Sequence, residues 1–251
     1  IVDLPGTADC CWTATTPQTT YPALRKAAHT DVAIIGAGIV GLTAAYALCR
    51  AGVSVTVIEA LRVGRQVTGR SSAKITSQHS LIYRHLRDTF DLDTARVYAE
   101  ANRAGTTQIR TWIRELGIAC DLEERDAYAY TCKESLLAEI EAEAAIAREL
   151  GFKADVVARA PLPFETAGAL RFAGEAQFNP AQYLVGLAAA FKAAGGSIFE
   201  NTRVHDVKPG RRWRIMTERG RIDADSVVVA TNLPVAGPGH LQRSPGLYDP
   251  E

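Results

Sequence analysis

A chain of 251 residues can bury a substantial core, as one large domain or as two modest ones. It is 47% hydrophobic and 22% charged, with 28 basic residues against 28 acidic ones. That balance removes any electrostatic reason to expect nucleic acid or an anionic membrane as partner. Five cysteines form no C-x-x-C pair and no even framework, which favours a reducing, cytoplasmic compartment. The chain opens on Ile1, its only methionine is Met216, and its first thirty residues hold no continuous apolar run, so no secretory signal is expected.

Residues 1–30 read as an irregular leader. DVAIIG, from Asp31, is a short β-branched run ending in glycine, the pattern of a buried parallel strand. Val32 to Cys49 carries no charge and meets the length test for a membrane span. Three glycines in its first ten residues, and the strand-like VSVTVIE after it, argue against a span. Ile39 to Ala51 is instead a helix rich in small residues, and Ser54 to Ile58 a second buried strand. Strand, glycine turn, helix and strand within about thirty residues make a βαβ unit.

A polar, glycine-punctuated loop follows from Arg62 to Lys74. Two helices are predicted next, over 77–90 and 94–116; in the second, Ile109, Trp112, Ile113 and Leu116 form one apolar stripe. Asp121 to Thr131 reads as short strands. Leu136, Leu137, Ile140, Ala144 and Ala147 mark an amphipathic helix with its glutamates on the solvent side. Pro161 to Gly174 reads as loop and strand, and Pro180 opens a helix running to Ala194. The last third is β-rich: SIFEN, TRVHDV, RWRIMTE and RIDADSVVVAT.

The simplest organisation is a discontinuous nucleotide-binding domain, 31–80 with 195–234, interrupted by an inserted α+β domain over 81–194. A leader (1–30) and an irregular tail (235–251) flank it. The fold class expected is α/β.

Gly36-Ala37-Gly38-Ile39-Val40-Gly41 fits G-x-G-x-x-G, with a strand before it and a helix after it. Gly36 permits the tight turn, Gly38 lets a pyrophosphate approach the backbone, and Gly41 lets helix and strand pack closely. The amides of Ile39 and Val40 open the helix, where the dipole and unpaired donors favour a phosphate. Glu59, followed by Ala60, ends the second strand and can accept both ribose hydroxyls of a dinucleotide. The acid would repel a ribose phosphate, which disfavours NADP and leaves FAD and NAD.

Two segments bear on that choice. VGRQVTGRSSAKITSQH can wrap a diphosphate, and on composition alone it reads equally as a solvated surface loop. DSVVVATNLP is a hydrophobic strand stopping at Ala230 and Thr231, either a ligand-facing strand end or an ordinary buried strand with a polar stop.

DVAIIGAGIVGLTAAYALCRAGVSVTVIEA followed by GRQVTGRSSAKITSQHSLIY resembles the amino-terminal part of the D-amino-acid-oxidase-like FAD oxidoreductases. It is most similar to the bacterial branch in which a flavin domain precedes a Rieske iron–sulfur domain. The resemblance runs from Trp12 to Pro234, and TGRSSAKITSQH with its spacing to VVVATN is its specific part. It implies a Rossmann-like FAD-binding domain with an inserted substrate domain, cut short at the C-terminus. It implies that Gly69, Arg70, Ser72 and Ala73 lie along the cofactor near the flavin. Val204 would meet the adenine through its backbone, and Ala230 and Thr231 would line the nucleotide from the other side. No C-x-H or C-x-x-H occurs, so neither a Rieske cluster nor another metal centre is expected within the chain.

The implied chemistry is oxidation of a small amine or amino acid at its C–N bond, with hydride transfer to flavin. No acid–base residue is identifiable. His79, Lys74, Tyr83, Tyr128 and Tyr130 are candidates, each equally readable as surface or packing. An NAD-linked dehydrogenase and a non-catalytic, nucleotide-binding remnant of a flavoprotein are the competing readings.

Overall fold

The computed structural model describes residues 10–232, and the expected irregular tail lies outside them. The chain divides into two compact units, residues 72–179 and the flanking segments that precede and follow them. The flanking unit begins with helix α1 (Cys11–Thr15), strand β1 (Ala28–Ile35), helix α2 (Ile39–Arg50) and strand β2 (Val55–Ile58). The leader is thus not wholly irregular, because a helical turn and the start of β1 fall inside it.

The second unit contains β3 (Lys74–Ile75), α3 (Ile82–Thr89), α4 (Leu92–Leu116), β4 (Glu123–Glu124) and β5 (Ala127–Thr131). It continues with α5 (Leu137–Glu149), β6 (Ala154–Val157), β7 (Gly168–Phe172) and β8 (Ala176–Gln177). The chain then returns to the first unit through α6 (Pro180–Ala193), β9 (Ser197–Phe199), β10 (Val204–Lys208), β11 (Trp213–Thr217) and β12 (Arg221–Val229). No helix among the described residues is long and apolar enough to cross a membrane.

In the first unit the six strands order as β10-β11-β12-β1-β2-β9. The strands β12, β1, β2 and β9 run parallel, while β10 and β11 join antiparallel. Ala33 pairs with Val227 and with Thr56, so strands from both ends of the sequence meet at β1. The register explains why β2 is buried at all four positions: central parallel strands are covered on both faces. Ala33, Ile35, Ile58, Ile215 and Ile222 share one core with Leu24 of the leader.

Both expected boundaries of the insertion move. Residues 72–80 belong to the second unit, and α6, expected within the insertion, packs against α2 in the first. Helix α6 buries Tyr183, Leu184, Leu187, Ala188 and Phe191, whose spacing puts them on one broad apolar face. That face needs cover, and the small-residue helix α2 supplies part of it.

The second unit stacks α3, α4 and α5 on the antiparallel sheet β5-β7-β6. Tyr83 is at its centre, with ring centroids 5.1 Å from Phe152, 6.0 Å from Tyr98 and 6.3 Å from Phe172. Each such aromatic pair adds about 0.5–1.5 kcal/mol beyond area burial. Helix α4 begins at Asp91, whose side chain accepts the Thr94 amide at 2.6 Å, and ends at Gly117 in the left-handed conformation.

One expectation about α5 fails. Glu139, Glu141 and Glu149 face solvent, but Glu143 is fully buried. Its carboxylate accepts the Tyr83 and Arg84 amides at 2.9 and 2.6 Å, satisfying donors at the start of α3 that no side chain of α3 caps. Burial nevertheless holds the Glu143 carboxyl above the ordinary range, against the pull of those amides.

Candidate functional site

The ends of β1, β2 and β12 converge on the glycine turn. The Gly36 amide donates to the Ile58 carbonyl at 2.8 Å, and the Ala230 amide to the Ile35 carbonyl at 2.9 Å. Gly36 has φ 108°, and a Cβ there would stand 2.7 Å from the Ala230 carbonyl oxygen. A Cβ on Gly41 would stand 2.0 Å from the Gly36 carbonyl oxygen, so Gly41 lets α2 approach the turn from behind. Gly38 differs: its φ is −83°, and an added Cβ meets only the Thr68 hydroxyl, at 3.2 Å. The space above Gly38 is open, as close approach by a ligand requires.

Gly38 caps α2 without a side-chain hydrogen bond, and the first turn carries no acid. The Ile39 amide donates to the Thr68 hydroxyl at 3.2 Å. Positive dipole and amide donors therefore face a cleft of about 700 Å³ lined by Gly36 to Val40, Glu59 to Leu61, Gly64 to Thr68, Arg203 and Val229 to Asn232. Leu61, Val67, Val40 and Val229 all line it, and Val40 and Val67 are 65% and 56% exposed. Apolar side chains gathered in one cleft mark a surface that a ligand covers.

Glu59 is buried at the edge of this cleft. Its carboxylate accepts the Ala37 amide at 2.8 Å and the Leu61 amide at 2.9 Å. Those two bonds fix the turn and the loop on either side of the acid. A carboxylate offers about four acceptor positions, so capacity for ligand hydroxyls remains.

Of the residues expected in the site, Gly36, Gly38, Ile39, Val40, Glu59, Ala60, Ala230 and Thr231 line the cleft. Gly41 supports it from behind. Gly69 is buried beneath the loop, where a Cβ would collide with the Gly64 carbonyl oxygen at 1.9 Å, and it is not among the residues that line the cleft. Arg70 is exposed and outside the lining, and Val204 is buried in β10 while its neighbour Arg203 reaches the cleft. Ser72 and Ala73 belong to the second unit.

Sequence reasoning had Gly64, Arg65, Gln66, Val67 and Thr68 only as part of a loop able to wrap a diphosphate, and it missed Leu61 and Arg203 as lining residues. Most sit in a loop without periodicity, and the only available signal was its hydroxyl and arginine content. In the second unit, the His79 imidazole is bonded to the Asn102 side-chain oxygen at 3.1 Å, and Tyr83 is core. Tyr130 is exposed against Phe164, with ring centroids 5.6 Å apart. His29, Asp31 and Asp225 bring three ligating atoms within 4.8 Å on the surface. Asp225 already pairs with Arg212, and Asp31 accepts the Ser54 amide, so this group reads as solvated surface.

Comparison with known proteins converges on one family. The FAD dependent oxidoreductase family (DAO) matches residues 31–246. The chain is 36% identical over 231 residues to YhfW of Bacillus subtilis (strain 168), whose name describes a Rieske 2Fe-2S iron–sulfur protein, covering 92% of this chain and 45% of that one. It is 26% identical over 218 residues to gamma-glutamylputrescine oxidoreductase of Escherichia coli (strain K12), covering 84% and 51%. The chain thus spans about half the length of these curated relatives. Among solved structures, L-amino acid deaminase from Proteus myxofaciens superposes with TM-score 0.69 at 21% identity, covering 86% of this chain and 48% of that one. Glycine oxidase from Geobacillus kaustophilus gives 0.63 at 20%, covering 81% and 55%. At those identities the structures establish the shared fold. The similarity to YhfW agrees with the branch that TGRSSAKITSQH pointed to, and the family match settles the wider question: the chain belongs to the FAD dependent oxidoreductase family.

Proposed function

We propose that the cleft at the glycine turn holds the ADP half of FAD and that the chain serves the oxidation of a small amine or amino acid at its C–N bond. The observation that carries the cofactor assignment is the meeting of an open Gly38, an uncapped helix start and a buried acid at the ends of adjacent parallel strands. The first turn of α2 would receive the pyrophosphate, with Thr68 beside it. Glu59 would accept the ribose hydroxyls, while Ala230 and Thr231 close the far wall. Leu61, Val67, Val40 and Val229 would exclude water from the bound nucleotide. FAD, when bound, supplies the hydride acceptor for the redox step.

The relative that acts on gamma-glutamylputrescine supports an amine substrate class. The five cysteines are all free thiols, which fits a reducing, cytoplasmic setting. The test is reconstitution with FAD, followed by anaerobic mixing with a panel of amines and amino acids. Bleaching of the flavin band by one of them is expected. Bound FAD that none of them bleaches would confine the reading to cofactor binding.

A further inference from the structure

Two apolar strands end in an acid at equivalent places. VTVI of β2 runs into Glu59, and SIF of β9 runs into Glu200; the two strands pair in parallel, with Ile58 opposite Phe199. Glu59 lines the cleft, whereas Glu200 is fully buried and turned elsewhere. Its Oε1 accepts the Val63 amide at 2.8 Å and the Thr19 hydroxyl, and its Oε2 accepts the Tyr21 amide at 2.9 Å. One desolvated carboxylate therefore joins the leader to the loop that lines the cleft.

Other bonds run the same way. The Arg62 guanidinium donates to the Thr19 carbonyl at 2.7 Å, and that of Arg65 to the Thr13 carbonyl at 3.0 Å. The Trp12 indole donates to the Ser71 carbonyl at 3.0 Å, and Thr13 lies buried in contact range of Gly69. The loop between β2 and Thr68 has no regular secondary structure of its own, so these bonds supply much of its order. Leu24, at the other end of the leader, is anchored in the sheet core.

We propose that residues 10–24 form a strap that orders the cofactor-binding loop 60–70, with Glu200 as its positioning residue. The strap itself lines no part of the cleft, so it sets cofactor affinity through that loop. This rests on the FAD reading of the cleft, and the experiment separates the two. Hydrogen exchange of the full chain without FAD is compared for the wild type, Glu200→Gln and the milder Arg62→Met, beside FAD titration and the thermal midpoint of each. The carboxamide introduced by Glu200→Gln has a single acceptor oxygen and cannot accept from all three donors. Faster exchange confined to residues 60–70 is expected in both variants. FAD affinity should fall by about tenfold in Glu200→Gln, the scale of one charge-assisted hydrogen bond, and by less in Arg62→Met.

A merely structural role would lower the midpoint and raise exchange throughout the unit, without singling out the loop. Unchanged loop exchange in a folded Arg62→Met, or raised loop exchange with wild-type FAD affinity, overturns the proposal. A wild type that binds no FAD overturns the functional reading, and with it the strap's role in affinity, while its exchange pattern still shows whether the strap orders the loop.

Discussion

The core of the second unit and the cleft of the first treat apolar surface in opposite ways. In the core of the second, Tyr83, Phe152 and Phe172 pack on one another and the buried acid Glu143 is spent on the amides that open α3, while Phe90, Tyr130 and Phe164 stay exposed on its surface. The first leaves Val40 and Val67 exposed beside an uncapped helix start. A sealed core needs nothing from outside, whereas an open apolar cleft facing amide donors is complete only with a ligand that is apolar in part and anionic in part. A dinucleotide has that character.

Perturbing that core tests stability, and perturbing the cleft tests binding. The largest effect is expected at Tyr83. Tyr83→Ala should cost about 3–5 kcal/mol, the range for removing a large buried aromatic side chain, read as a lower midpoint in denaturant. A loss below about 1 kcal/mol would show that this core is not closed around the ring.

Next is Glu59→Ala. Loss of a charge-assisted bond to a ligand hydroxyl costs roughly 1.5–3 kcal/mol of FAD affinity. The same carboxylate holds the Ala37 and Leu61 amides, so the apoprotein should also melt earlier. An unchanged FAD dissociation constant in a folded variant would remove Glu59 from the site.

A smaller, pH-dependent effect is expected at Glu143, whose carboxyl burial raises above its ordinary 4.5. The folded chain then holds that proton more tightly than the unfolded one. This contribution is fully present below 4.5 and is lost as pH rises through the raised value. Glu143→Gln cannot titrate, so the wild type's margin over it should shrink as pH rises from 4.5 towards neutrality. Denaturant melts at stepped pH check this, and a margin constant with pH contradicts it.

The smallest test concerns thiols. Cys11 and Cys132 are exposed, while burial pushes the Cys120 thiol up to about 11. A thiol reagent at mildly alkaline pH should label the first two promptly and Cys120 only on unfolding. Prompt labelling of Cys120 would mean that its surroundings are open.

How much of this was legible in the sequence follows the range of each interaction. The βαβ unit and Glu59 were readable because strand, turn, helix and acid lie within thirty residues and each leaves a local signal. The place of α6 was not, because an apolar helix face does not say which neighbour covers it. Glu143 looked like its solvent-facing neighbours on α5, and only the distant start of α3 gives it a reason to be buried. Glu200 carried the same signal as Glu59, an apolar strand ending in an acid, but its partner Thr19 in the leader lies 181 positions away in sequence. Loop residues such as Thr68 and Arg65 have no periodicity to read, and their place emerges only when the strap and the turn fix the loop.

The central claim is that the open cleft at Gly38 receives the pyrophosphate of FAD, and titrating FAD into the wild type and Gly38→Val tests it most directly. Gly38 has φ −83°, which valine adopts, and an added Cβ meets the Thr68 hydroxyl at a tight 3.2 Å at the N-cap of α2, so the apoprotein should fold with a somewhat lower midpoint. Its methyls would occupy the phosphate's place, and affinity is expected to fall by at least about a hundredfold, the equivalent of two steps of 1.4 kcal/mol. A folded Gly38→Val that binds FAD as tightly as the wild type would contradict the account, leaving the glycine turn a packing device and placing the cofactor elsewhere.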